Sequence, residues 1–99
     1  MSGRRGTLAT GRPWVLLAWL DGQVLHVAEV KSIRPENEER QLRLGIGQIL
    51  RYCHQMQPAA GRVQGVVVTS QEPADKSWLD LFDSLGLRLV WPGTLESLE

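Results

Sequence analysis

The chain has a single cysteine, no surplus of charge and no apolar run of membrane-spanning length. Cys53 alone cannot close a disulfide within the chain or supply a cysteine-rich zinc site. Eleven Lys and Arg balance eleven Asp and Glu, which argues against global attraction to nucleic acid and leaves room only for a local basic patch. The longest apolar run, Trp14 to Leu20, falls well short of the roughly 20 residues that cross a bilayer. Arg4 and Arg5 precede it as in a secretion signal, but the run ends in Asp21-Gly22 with no small-residue cleavage motif. No Walker loop, dinucleotide fingerprint, Ser-His-Asp order or zinc-ligand spacing is present. The expected setting is therefore the cytoplasm, with no membrane partner.

What is there fits one small globular domain: 99 residues, 42% hydrophobic and 22% charged. Residues 1–12, with three arginines, three glycines and no acid, read as a flexible basic lead-in. Residues 13–92 read as the domain and residues 93–99 as an acidic tail. Trp14–Leu20 and Gln23–Lys31 are β-rich runs flanking Asp21-Gly22, a strong hairpin signal. Pro35, Glu36, Glu38 and Glu39 open a helix with acids at its positive end. Its apolar stripe is Leu42, Ile46, Ile49, Leu50, Cys53 and Met56, and Pro58 to Gly61 ends it. Val63–Thr69 reads as a buried strand, and Pro73 starts a second helix with Trp78, Leu79, Phe82 and Leu85 inward. Gly86 caps that helix, and Leu87–Trp91 is a last strand. The expected class is α/β, a small mixed sheet in the order β-β-α-β-α-β.

Two places draw chemical interest. Side chains alternate along a strand, so Leu25, Val27, Glu29 and Lys31 share one face, the acid and base at its end. Such a carboxylate can hold a divalent cation, and the ammonium can steady a reacting anion. An ordinary ion pair at a strand end accounts for the same residues. On the following helix Gln41, Gly45, Gln48 and Tyr52 lie along one line beside the apolar stripe. Gly45 and Gly47 each cost roughly 1 kcal/mol in a helix relative to alanine, which suggests a close approach of backbone or ligand. A bend there, with Gln48 and Tyr52 as boundary residues, is the plainer alternative.

The run Glu29-Val30-Lys31-Ser32, a loop, then Gln48-Ile-Leu-Arg-Tyr52 resembles the PD-(D/E)XK nuclease superfamily, the restriction-endonuclease-like fold. It is similar in particular to the branches in which Q-x-x-x-Y follows the E-x-K strand, as in RecB-type nuclease domains. The resemblance covers roughly residues 14–91. It implies Mg²⁺- or Mn²⁺-dependent hydrolysis of phosphodiesters, in DNA above all. Glu29 and the Val30 main-chain carbonyl would hold the metal, Lys31 would be the catalytic lysine, and Gln48 and Tyr52 would position substrate or water. Arg34 and Arg51 would contact nucleic acid.

The chain departs from the family in two respects. An acid is expected on the preceding strand near Leu16, where leucine stands, and the leading helix is missing. With Asp21-Gly22 as a two-residue turn, Leu20 faces Gln23 and Glu29 faces Trp14, leaving Asp21 about 26 Å along the strand from Glu29. The resemblance therefore implies a degenerate, inactive member, a fragment, or an acid supplied by a partner chain or second copy. A metal-free nucleic-acid-binding module and a protein-interaction or assembly domain are the competing classes.

The remaining residues read as structural. His26 lies on the face opposite Glu29, and Cys53 falls in the apolar stripe. His54 points about 100° away from Cys53 on the helix. Of the four tryptophans, Trp14, Trp78 and Trp91 sit at element ends and Trp19 mid-strand. Arg34, Arg40, Arg43, Arg51 and Arg62 with Lys31 form a possible phosphate-facing patch; Arg40 and Arg43 can equally pair with Glu36 and Glu39.

Overall fold

The computed structural model describes residues 7–9, 15–57 and 61–94. Strand β1 (Thr7–Ala9) precedes a hairpin of β2 (Val15–Asp21) and β3 (Val24–Lys31). Helix α1 (Glu38–Met56), strand β4 (Arg62–Thr69), helix α2 (Ser77–Ser84) and strand β5 (Arg88–Val90) follow. The five strands form one sheet in the order β1-β2-β3-β4-β5. Pairing is antiparallel from β1 to β3 and parallel from β3 to β5. The protein is thus α/β with a mixed sheet, as its pattern of hydrophobic runs predicts. Strand β1 is an addition, formed within the stretch expected to be lead-in; the rest of that stretch, and residues 95–99 of the tail, lie outside the described residues. No helix among the described residues is long and apolar enough to cross a membrane.

The hairpin corrects the expected register. Asp21 is the last residue of β2 and pairs with Val24, so the turn is Gly22-Gln23 rather than Asp21-Gly22. Gly22 has φ +64°, the left-handed value that a type II′ turn takes at its first central position. This shift moves the partner of Glu29 from Trp14 to Leu16.

Strand alternation then divides the sheet. Leu25, Val27, Val63, Val67 and Leu89 form one face, packed against Leu42, Ile49 and Tyr52 of α1 and Trp78 and Phe82 of α2. Burial of Leu42 and Ile49, both 0% exposed, contributes roughly 1.5–3 kcal/mol for each side chain. Ala28, Val66 and Val90 form the other face with Leu17, Trp19 and Val68, a cluster of strand residues alone among the described residues. His26 stacks there on its register partner Trp19, ring centroids 5.1 Å apart.

Both helices are shorter than expected. Residues 35–37 form a turn and α1 starts at Glu38, while α2 starts at Ser77 after a loop from Pro73. Asp75 organises that second start by accepting the Ser77 N–H (2.9 Å) and hydroxyl (2.6 Å), which hold its carboxyl below the usual range. Leu50, Leu79 and Leu85, expected inward, are exposed at 37–39%. Each helix is narrow in its contact with the sheet, and the stripe drawn from spacing is wider than the face that packs. Gly86 follows α2 at φ +72°, the left-handed cap its position suggests.

Gly65 on β4 sets how closely α1 approaches. A Cβ built there would lie 2.7 Å from Leu87 Cδ2, 2.8 Å from Cys53 Sγ and 3.0 Å from Ile49 Cγ1. Three packed side chains would have to move together. Gly65→Ala is expected to lower the unfolding free energy by about 1–3 kcal/mol in urea titrations, and adding Cys53→Ala should return part of the loss. Stability equal to wild type would mean that this contact is slack. Gly47, by contrast, faces open space. The close approach inferred for both helical glycines holds for Gly45 alone.

Candidate functional site

The site grows from the end of β3, the central strand. Glu29 and Lys31 are two residues apart and so stand on the helix-covered face. Glu29 is 0% exposed and Lys31 7% exposed. Lys31 Nζ lies 3.7 Å from Glu29 Oε2. An ion pair so buried repays its desolvation only through close geometry and further polar contacts. Removing either partner alone leaves a costly charge.

Neighbouring strands frame the pair. Glu29 has Leu16 as its register partner on β2 and Val67 on β4, and Lys31 has Thr69 on β4. The Thr69 hydroxyl is committed to carbonyls, those of Gln71 (2.8 Å) and Val90 (3.3 Å). Helix α1 forms the roof. A Cβ on Gly45 would rest 3.5 Å from Lys31 Cγ and 3.5 Å from Val67, so the helix backbone passes directly over the lysine stem. Tyr52, seven residues on and therefore on the same helix face, is buried in the core cluster rather than flanking it. Gln48 lies between them, half-buried, with Oε1 enclosed and lacking a hydrogen-bond donor among the described residues. Such an orphaned carbonyl costs about 1–3 kcal/mol, and it is the one residue in this roof whose polarity packing does not explain. Gln41, on the same line, donates to the Ser32 carbonyl at 3.3 Å and closes the loop after β3.

The strand ends are stitched tightly. Ser70 N–H donates to the Lys31 carbonyl at 3.1 Å, and its hydroxyl accepts from Ile33 N–H at 2.9 Å. Glu38, read from sequence only as a helix-start charge, is buried and accepts the N–H groups of Ala74 (2.8 Å) and Asp75 (3.0 Å). These contacts span 36 and 37 residues, a separation at which spacing carries no signal.

The proposed phosphate contacts are separate from this pair. Arg34 is exposed and bound to Glu36 at 3.3 Å, and Arg43 to Glu39 at 3.2 Å. Arg51 is exposed on α1, about 100° around the helix from buried Tyr52. Burial pushes the Cys53 thiol above its ordinary range, which suits its place in the core rather than a nucleophile's role.

A divalent cation does not fit the residues present. The single carboxylate, Glu29, faces an ammonium, and its two register partners are the apolar Leu16 and Val67. Glu38 spends both oxygens on main-chain N–H groups. The Val30 carbonyl belongs to a residue in register with both Val15 and Val68, within the ladder. No group of three His, Cys, Asp or Glu side chains able to hold a metal occurs among the described residues. Hard cations need several oxygen donors, and one ion-paired carboxylate is too few. Compared with protein-family models, curated proteins and solved structures, the chain matches none.

Proposed function

We propose that this chain is a nuclease-type, DNA-binding domain of the PD-(D/E)XK kind that lacks a complete metal centre. It would hold DNA phosphodiesters without hydrolysing them by itself. The observation that carries this reading is the Glu29–Lys31 pair, 3.7 Å apart at the end of the central strand and roofed by Gly45 of the helix that bears Gln48 and Tyr52. Without a second carboxylate, Glu29 is a counter-ion that fixes the lysine, and the lysine is the cation offered to a phosphate. Arg40, Arg51 and Arg62 are exposed and make no ion pair among the described residues, so they are available to further phosphates.

Fluorescence anisotropy of a labelled duplex over a salt series tests this. Neutralising about four phosphates predicts a slope of log affinity against log salt near −3.6, unchanged by EDTA or Mg²⁺. Arg51→Gln, and the Glu29→Gln/Lys31→Gln double variant that strands no buried charge, should each make that slope shallower by about 1. Salt-independent binding, or binding that EDTA abolishes, would overturn the proposal.

A further inference from the structure

A cavity of about 560 Å³ opens beside the edge strand β5, away from the Glu29–Lys31 pair, and none of Glu29, Lys31, Gln48 or Tyr52 lines it. Phe82 and Leu89 give it an apolar wall, and Gln64, Asp83, Arg88 and Trp91 supply its polar and aromatic groups. Polar and apolar groups line it in comparable measure, and it opens to solvent at the edge of the sheet.

Each polar group has a defined capacity. Gln64 Nε2 donates to the carbonyls of Gly65 (2.9 Å) and Gly86 (3.0 Å), which commits both of its N–H bonds and leaves Oε1 as the acceptor. Asp83 is exposed, and its carboxylate is a second acceptor. Arg88 is exposed, and neither it nor Asp83 enters an ion pair among the described residues. Trp91 is half-buried and held by its turn: its N–H donates to Thr94 Oγ1 at 2.9 Å, and its carbonyl accepts the Thr94 N–H at 2.7 Å. Gly93 lies against one edge of the indole, where a Cβ would be 3.8 Å from Cδ1 and Nε1.

The cavity thus brings an aromatic ring, two acceptors and one cation into one lining. A ligand that matches it has a planar ring bearing donors and an attached anion. We infer that this cavity binds a single nucleotide. Trp91 stacks on the base, Gln64 Oε1 and Asp83 accept from its amino or imino groups, and Arg88 meets the phosphate. Two acceptors favour bases with an exocyclic amine, guanine, adenine and cytosine, over thymine, whose pairing edge has one donor. The choice of a nucleotide rests on the DNA-binding reading above, while the cavity and its residues are independent of the Glu29 face.

Titration of the ¹⁵N-labelled protein with dGMP, dAMP, dCMP and TMP, followed on the Trp91 indole N–H, tests this directly. Saturable shifts are expected at millimolar nucleotide, with TMP about fivefold or more weaker than dGMP. Arg88→Gln should weaken dGMP about tenfold, and Asp83→Ala, which removes the second acceptor, should erase the preference over TMP; both positions are exposed, so folding is not at stake. The Glu29→Gln/Lys31→Gln double variant, which should weaken duplex binding without stranding a buried charge, should leave dGMP affinity unchanged. Absence of saturation by about 10 mM, shifts indifferent to Arg88→Gln and Asp83→Ala, or equal shifts with a Lys-Glu dipeptide would overturn the inference. Loss of duplex binding alone, with dGMP still bound, would count against the proposed function and not against this site.

Discussion

Leu16→Asp is expected to give this chain a Mn²⁺ affinity that the wild type lacks. Position 16 is the register partner of Glu29, and directly opposed residues of an antiparallel pair have Cβ atoms about 4.5–5.5 Å apart. A carboxylate there joins Glu29 in a two-acid set of the kind that a hard cation accepts. Isothermal titration should show no Mn²⁺ binding by the wild type at millimolar concentration. The variant should bind in roughly the 10–100 μM range, and a Glu29→Ala background should abolish that binding. Stability supplies an independent reading. Two opposed carboxylates repel, so the metal-free variant should be less stable than wild type. Metal at 100 times the dissociation constant should then add about 2.7 kcal/mol. If the proposed function is right, the loaded variant also nicks DNA, and Lys31→Ala removes that activity. Absence of metal binding by Leu16→Asp would sink the idea that a missing acid is what separates this site from a working centre.

The second large effect concerns the pair itself. Lys31→Met leaves the fully buried Glu29 without its ammonium, and isolating one member of a buried pair typically costs 3–5 kcal/mol. A loss of about 3 kcal/mol or more is expected in urea unfolding. Adding Glu29→Gln should recover most of it, because the neutral amide no longer strands a charge. The double-mutant cycle separates a coupled pair from two independent residues. A Lys31→Met variant within about 1 kcal/mol of wild type would mean that the ammonium contributes little to holding Glu29.

Much of this arrangement is legible before any coordinates. Alternation puts Glu29 and Lys31 on one face, and helical spacing aims Leu42, Ile49, Trp78 and Phe82 at the core, where they are found. What local pattern misses falls into two kinds. Asp21-Gly22 announces a hairpin, but the same dipeptide permits aspartate as a turn residue or as the last ladder residue. Only pairing along the whole of β2 and β3 selects the second. The other kind is long-range. Strand β1 exists because β2 offers it an edge, Glu38 is buried because a loop 36 residues away turns its N–H groups toward it, and Gly65 is constrained by Ile49 and Cys53 of α1 and by Leu87 ahead of β5. Spacing reads none of these. It also overestimates apolar faces, so Leu50, Leu79 and Leu85 go to solvent.

The junction of antiparallel and parallel pairing at β3 also sets an order of events. The β2–β3 hairpin closes through a two-residue turn and can form in about 1–10 μs. Pairing of β3 with β4 must wait for residues 32–61, α1 among them, to cross over and bring the two strands side by side. Contacts of that sequence separation form slowly, after their loop entropy has been overcome. Glu29 lies in the early hairpin ladder and Lys31 just beyond its end, but their shelter belongs to the later crossover. While α1 is undocked, acid and base stand in water as an ordinary exposed couple. The chemistry of the pair is therefore gated by folding: it depends on the crossover that seats α1 over β3 and is lost when that crossover opens.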